Sequence, residues 1–431
     1  MRYRRPCKDE MKEVKFRPQL NTTLRMPGSK SITHRALIAA SLASGESWLC
    51  NFLDCEDTRY TMKTLQDLGA KLSIHGEDLR IEGTGGRFAS GPTRKRLFLG
   101  NSGTSTRLLL SVVALGQGEF LLTGTERMLR RPIAPLVTAL NQLGVEGYCV
   151  EKSGCPPVLI KAHGISGGSV SIPGDESSQF ISSLLLSGPY AHNDVQIEVT
   201  GALVSRPYVD ITIEVMAQFG VKVANDSYRS FKVPAGQRYQ AGTSTIQGDA
   251  SSASYFWAAA AVTGGTVITE YIHPFLTRQG DIRFLEILER MGCAIEKRPD
   301  QVGVRGGKLT GIEVDMSSMP DMVPTLAAVA LFSSGETIIR NVHHLRHKES
   351  DRLHAIALEW NRMGARVEEL DAGLIIRGQE RLTGKVMDPH DDHRLAMSLA
   401  VVGLRVPGIR IINKECVQKS FPQFWQLWNR L

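Results

Sequence analysis

One pattern returns six times along the 431 residues, at intervals of 72, 74, 74, 68 and 74. Each copy opens with a polar turn, continues as a small-residue apolar stretch, reaches a Gly and passes into a β-branched run. The copies open at Gly28 (GSKSITHRALIAASLASGE), Gly100 (GNSGTSTRLLLSVVALGQG), Gly174 (GDESSQFISSLLLSGPY), Gly248 (GDASSASYFWAAAAVTGG), Met316 (MSSMPDMVPTLAAVALFSSGE) and His390 (HDDHRLAMSLAVVGLRVPG). A fixed period of this length means that one supersecondary unit is used repeatedly, and such a unit buries its apolar face only against its neighbours. The apolar stretches lack a polar stripe, so each reads as a helix buried on all sides.

A second signature follows the first five openings: an amphipathic stretch whose terminal Gly lies 41 to 48 residues after the opening, at Thr58–Gly69, Arg131–Gly144, Arg206–Gly220, Asp281–Gly292 and Arg352–Gly364. Helical spacing with a terminal Gly predicts a surface helix stopped by its C′ residue. Extended runs such as Ala70–Ile74 and Ala365–Val367 follow, and the sixth copy is cut short at Phe421–Leu431. Each unit therefore reads as β-α-β-α-β-β. A core rarely grows beyond roughly 250–300 residues, so the six units are expected to divide into two domains of three. We place them at 28–246 and at 1–27 plus 247–431, with a hinge crossed twice near 27 and 246, beside the polar stretch Ala235–Thr245.

Composition narrows the function. The formal charge of +7 comes from 51 Lys and Arg against 44 Asp and Glu. Spread along the chain, it suits small anionic ligands; a nucleic-acid surface would concentrate it. Seven Cys in this length, with no paired zinc-finger spacing, argue against a disulfide framework or a structural zinc. No apolar run reaches a membrane span, and the basic segment Met1–Leu20 lacks the apolar stretch of a secretory signal. We expect a cytoplasmic monomer that binds neither membrane nor nucleic acid.

The starts of the six buried helices are where chemistry is expected. A helix N-terminus offers unpaired N–H groups and partial positive charge, which suits anions. Ser, Thr, Asn and Asp there are also explained as caps. Lys30, Arg35 and Arg107 are not, because a cation in a first turn opposes the helix dipole. Gly28-Ser29-Lys30-Ser31 resembles the end of a phosphate-binding P-loop, yet Thr23 stands where that loop needs its first Gly. Gly100–Thr104 likewise lacks the dinucleotide fingerprint. Lys348, Glu349 and Arg352 would share a face if helical, either as internal ion pairs or as a carboxylate held among cations for acid/base work. The histidines around 343–347 and the run Asp388–Arg394 show no metal-ligand spacing, so a metal is not expected.

Together these stretches resemble the 5-enolpyruvylshikimate-3-phosphate synthases. The resemblance runs from Met26 to Phe421 and is carried, in order, by PGSKSITHRAL, LGNSGTSTRL, LTGTERMLRRPI, ESSQF, SRPYVDIT, GDASSAS, GDIRFLEILERMG, PDMVPTLA, HKESDRL, DDHRLAMSLA and KSFPQF. It implies an α/β fold: a two-domain inside-out α/β barrel, each domain built from three βαβαββ units around buried parallel helices. It also implies transfer of the carboxyvinyl group of phosphoenolpyruvate to the 5-hydroxyl of shikimate 3-phosphate, releasing phosphate, with no metal or organic cofactor. By matching motif positions, Lys30, Ser31, Arg35, Ser177, Ser178, Gln179, Ser205, Tyr208, Asp321, His344 and Lys348 should bind shikimate 3-phosphate. Lys30, Asn101, Gly103, Thr104, Arg131, Gln179, Arg352, His393, Arg394 and Lys419 should meet phosphoenolpyruvate. Lys30, Asp321 and Glu349 should carry the catalysis.

Chemistry supports that pattern. Both substrates are multiply charged anions, which need cations to offset repulsion and desolvation, and Arg binds carboxylate and phosphate bidentately. The enol carbon must be protonated while a hydroxyl loses its proton, so acid/base groups within hydrogen-bond reach are required. Since the cations come from both halves, substrate binding should draw the domains closed and exclude water. Ser102, Ser105, Thr106 and Leu108 depart from residues common in the family. Gly103 should leave room beside phosphoenolpyruvate, so glyphosate is expected to compete there, and His344 stands where an Asn is frequent. The rival readings are the related UDP-N-acetylglucosamine enolpyruvyl transferases, whose characteristic loop Cys has no counterpart here, and a non-catalytic anion-binding protein on the same scaffold.

Overall fold

The computed structural model describes residues 11–88, 94–379 and 381–431. The first ten residues of the basic N-terminal stretch lie outside that range. The chain separates into two compact units: a central unit, Gly28–Gln247, and a split unit formed by the chain up to Pro27 with Gly248–Leu431.

The central unit holds three four-stranded sheets and three inner helices, Lys30–Leu42, Gly103–Ala114 and Ser178–Ser187, which touch one another. Apolar on nearly every side, these helices can be covered only by sheets all round, and nearly every residue in them is buried. Each sheet has the same order. In the second, Lys95–Phe98 runs parallel to Gly118–Thr123, which pairs antiparallel with Val158–Ala162 and through it with Glu146–Cys149. The parallel pair flanks the inner helix in sequence, and the antiparallel pair follows the outer helix, Ala134–Gln142.

The split unit repeats the arrangement around Ala250–Thr263, Val323–Ala330 and His393–Gly403. Its third sheet is small: Val386–Met387 and Arg410–Ile411 are parallel, and Lys12–Glu13 takes the remaining edge. The shortened sixth copy is thus completed by the start of the chain.

The simple β-α-β-α-β-β reading needs one correction. Asn21–Arg25 precedes the first inner helix yet pairs with Thr266–Glu270 of the split unit, and Thr243–Thr245 precedes the fourth yet pairs with Ser44–Cys50 of the central unit. The first and fourth units have therefore exchanged their opening strands, at the two places where the chain passes between the units. On one side Asp249 N–H donates to Pro27 O at 2.8 Å; on the other Ser29 N–H donates to Gln247 O at 2.8 Å.

The outer helices end as the glycines indicate. Gly69, Gly144, Gly220, Gly292 and Gly364 all have positive φ, from +82° to +112°. Glu56–Asp67, Arg206–Gln218 and Arg352–Arg362 lie close to the predicted spans, whereas the second outer helix starts later, at Ala134, and the fourth is divided into the turn Gly280–Arg283 and the helix Phe284–Arg290.

Candidate active site

In the central unit, the starts of the three inner helices carry Lys30, the run Asn101–Thr104 and Ser177–Gln179. Lys30 has no capping carboxylate in its own helix; its Nζ is 3.0 Å from Asp57 Oδ2, on the first turn of the neighbouring outer helix. Sequence reasoning missed Asp57, because an acid in a first turn is what the helix dipole favours anyway. Arg35 is buried, and its guanidinium is committed within the unit: Nε donates to Thr212 Oγ1 at 2.6 Å, Nη1 to Ser31 O at 2.8 Å and Nη2 to Tyr208 O at 3.1 Å. Burial pushes it down to about 10, with Tyr208 opposing. Arg35 thus joins the segments that carry Ser31 and Tyr208, while Ser205, at φ +54°, turns the chain into Tyr208's helix.

Arg107 was noted only as an unexplained cation. Its Nη1 donates to Gln179 Oε1 at 3.0 Å and its Nη2 to Pro132 O at 3.0 Å, and the guanidinium lies 5.2 Å from the Phe180 ring centroid. The Gln179 amide nitrogen donates in turn to Thr104 Oγ1 at 3.0 Å. The second and third of these helix starts are therefore tied to each other. Ser177 caps its helix, accepting from Gln179 N–H at 3.3 Å, and Ser178 begins it.

The space over Gly103 is not vacant as expected. The guanidinium of Arg131 occupies it, with Nη1 donating to Asn101 O at 3.2 Å, and a Cβ on Gly103 would come within 2.4 Å of Arg131 Nη2. A side chain at position 103 would displace this guanidinium from its place against the loop.

The split unit assembles a denser cluster. Arg352 is buried at the start of its helix and serves three carboxylates: Nη1 donates to Asp321 at 2.9 Å, Nη2 to Glu349 at 2.8 Å and Nε to Asp392 at 2.8 Å. Arg394 donates to the other oxygen of Asp321 at 2.7 Å and to Tyr255 Oη at 3.3 Å. Lys419 Nζ lies 4.0 Å from Glu349 Oε1. His393 and Arg394 open an inner helix capped by Asp392, whose carboxylate accepts from Arg394 N–H at 2.9 Å and from Ser350 Oγ at 3.2 Å. Glu349 reaches Arg352 from outside that helix, which begins at Arg352, so the proposed helical face of Lys348, Glu349 and Arg352 does not form. Lys348 instead ends the 3-10 turn His343–His347.

Charge is divided unevenly in this cluster. Burial pushes the Asp321 carboxyl up, but Arg394, Arg352 and Lys348 outweigh it and hold the group well below the usual range. Burial lowers Arg352, yet Asp392, Glu349 and Asp321 together raise it. Asp281 is opposite in character. Burial, then the negative charge of Asp321, push it up to about 7 against Arg394 and a hydrogen bond from Ser251. Its Oδ1 has no hydrogen-bond partner among the described residues. His344 is pushed down to about 3 by burial and by Lys348, and neither ring nitrogen has a hydrogen-bond partner among the described residues. It is a neutral imidazole that can donate at one nitrogen and accept at the other. Asp392, Tyr255 and Asp281 were not singled out from sequence; of these only Asp392 left a signal, as the residue before His393 at a helix start.

Each cluster offers cationic donors suited to phosphate and carboxylate groups, with carboxylates beside them. No group of three or more His, Cys, Asp or Glu placed to hold a metal occurs among the described residues. The family model described as EPSP synthase (3-phosphoshikimate 1-carboxyvinyltransferase) matches residues 14–428. The chain belongs to the EPSP synthase family. It is an enzyme, a transferase of the shikimate pathway. The match favours this family over the sugar-nucleotide transferases and over a non-catalytic scaffold.

Among curated EPSP synthase relatives, the 3-phosphoshikimate 1-carboxyvinyltransferase of Syntrophobacter fumaroxidans is 46% identical over 414 residues, covering 96% of this chain and 97% of the relative. That of Shewanella pealeana is 43% identical over 426 residues, covering 98% and 100%. A solved EPSP synthase from Acinetobacter baumannii superimposes with a TM-score of 0.81 at 27% identity, with 97% of each chain covered. The two-domain α/β fold of the EPSP synthases is thus the fold of this chain.

Proposed function

We propose that the chain transfers the carboxyvinyl group of phosphoenolpyruvate to the 5-hydroxyl of shikimate 3-phosphate with the residues assembled in these two clusters. The central cluster, Lys30, Ser31, Arg35, Ser177, Ser178, Gln179, Ser205 and Tyr208, recognises shikimate 3-phosphate, with Asn101, Gly103, Thr104 and Arg131 for phosphoenolpyruvate. The split-unit cluster supplies Arg352, His393, Arg394 and Lys419 for phosphoenolpyruvate, Asp321 and Lys348 for the shikimate hydroxyls, and His344 as a donor to shikimate phosphate.

Asp321 and Glu349 divide the proton work. A carboxylate stabilised by two arginines is a weak base, so Asp321 orients the 5-hydroxyl and takes its proton only as the new C–O bond forms at C2 of phosphoenolpyruvate. Glu349 delivers a proton to C3, giving a tetrahedral adduct. The C2–O bond to phosphate then breaks, Glu349 recovers a proton from C3, and the hydroxyl proton leaves on phosphate. Lys30 offsets charge on the reacting anions. The observation that carries this reading is the single buried guanidinium of Arg352, which fixes Asp321 and Glu349 on either side of itself.

Phosphate release with purified protein tests it. Release should require phosphoenolpyruvate and shikimate 3-phosphate together; release with UDP-N-acetylglucosamine as acceptor would refute it. Glyphosate should compete with phosphoenolpyruvate, since it carries comparable carboxylate and phosphonate charges for Arg131, Arg394 and Lys419. A kinetic titration without competition would remove that part. The reading also takes the chain as a cytoplasmic monomer; no helix of the described residues is long and apolar enough to cross a membrane. Light scattering on the eluting protein tests the monomer.

A further inference from the structure

Helix Arg352–Arg362 holds the segment 388–394 at two points. At its start Arg352 bonds Asp392. Two turns later Glu359, with a side chain 2% exposed, accepts from Asp388 N–H at 3.1 Å and meets His390 Nε2 at 3.2 Å, while Arg362 of the same helix donates to both of its oxygens, at 2.8 and 2.6 Å. The held loop is strained. His390 and Asp391 are successive non-glycine residues with φ of +53° and +55°. Such a pair persists only where surrounding contacts over-determine it. Those contacts are Glu359, Asp388 Oδ1 accepting from His390 N–H at 2.7 Å, and Asn413 donating to Asp391. The next residue is Asp392, whose N–H donates to Pro389 O at 2.9 Å, and after it come His393 and Arg394.

We propose that Glu359 and His390 form a latch that positions Asp392 and Arg394, and through them sets the affinity for phosphoenolpyruvate. It rests on the assignment of Arg394 to that substrate. Neither latch residue touches substrate; both act through the loop. Asp392 receives Arg352 and caps the helix of Arg394, so a relaxed 388–391 loop shifts both cations from the places where they meet the anion.

The latch is sensitive to pH. The groups that face the imidazole are Glu359 and Arg362 from the helix and Asp388 from its own loop. The bond to Glu359 raises His390 above its ordinary value against burial, and Asp388 adds to the rise while Arg362 opposes it. With a raised folded value, the charge-assisted part of the latch is complete below about pH 6.5 and fades as pH climbs through that folded value.

Steady-state kinetics of the whole enzyme from about pH 5.5 to 9 test this with H390N, E359Q and R394Q beside the parent. At the acid end, H390N and E359Q should raise KM for phosphoenolpyruvate roughly 2–30-fold, the range of coupling through a shared network, and leave KM for shikimate 3-phosphate within about twofold. The decline of phosphoenolpyruvate affinity with rising pH should be absent from H390N and should move to lower pH in E359Q, where the group that raises the imidazole is neutral. Differences from the parent cancel the ionisation of phosphoenolpyruvate itself. If H390N and E359Q overlay the parent while R394Q raises KM, the latch is wrong. If R394Q leaves KM unchanged, the assignment beneath it is wrong. A raised KM with an unaltered pH profile also overturns the latch, because loose packing alone would give it. Should E359Q melt below the assay temperature, H390N, at a partly exposed position, decides the matter.

Discussion

Arg352 meets three carboxylates with one guanidinium, and that sharing makes the individual acids separable by substitution. Glu349→Gln keeps the shape and an oxygen for Arg352. Its effect should fall on the proton step, with kcat lowered about 10²–10⁴-fold and both KM values little changed. Rapid-quench turnover reads this directly, and an unaltered rate would take Glu349 out of the chemistry. Asp281 calls for a different measurement. Its folded value near 7 lies above the unfolded one, so it favours the folded state in acid and costs stability as pH rises from about 4 towards 7. Asp281→Asn keeps an oxygen for Ser251 and carries no charge. The melting temperature of the variant relative to the parent should therefore climb across that interval and level off above it; a flat difference would show that Asp281 is not buried as an acid.

At the scale of elements, helix ends decide most of what is placed where. Gly364 follows helix Arg352–Arg362 at φ +94°, and a Cβ there would meet nothing within 4 Å. Gly364→Ala should therefore cost only the backbone term, about 1–2 kcal/mol, in chemical denaturation, without loss of turnover. A larger loss would mean the helix end does more than stop. Such ends were legible in the sequence because they depend on local chemistry: a Gly after an amphipathic run, or a polar cluster before an apolar one. Lys30 and Glu349 drew attention for the same reason, since each sits at or beside a helix start, whereas Asp321 and Arg394 were named only through the family resemblance. Partners were not. Nothing near Lys30 announces Asp57, and nothing in Thr243–Thr245 says that it joins Ser44–Cys50 and not the strands that follow it. Pairing across such separations is set by topology, to which periodicity is blind. Gly103 shows the limit at one residue: its small size was read as space for a ligand, and the chain's own Arg131 fills it.

For the whole molecule, the exchanged strands set unequal terms for the two units. The central unit contains every strand of its three sheets within 28–247. Expressed alone, that segment should unfold cooperatively in denaturant. Residues 248–431 alone lack Lys12–Glu13 and Asn21–Arg25, which leaves the edges of Thr266–Glu270 and Arg410–Ile411 bare. That fragment should aggregate, and supplying residues 11–27 as a peptide should restore its solubility. Failure of the first fragment to fold would show that the units depend on each other for stability. The same exchange orders events at the ribosome. Asn21 is made 245 residues before its partner in register, Thr266. At roughly 5–20 residues per second, that strand waits about 12–50 s with an unpaired edge while the central unit is completed behind it.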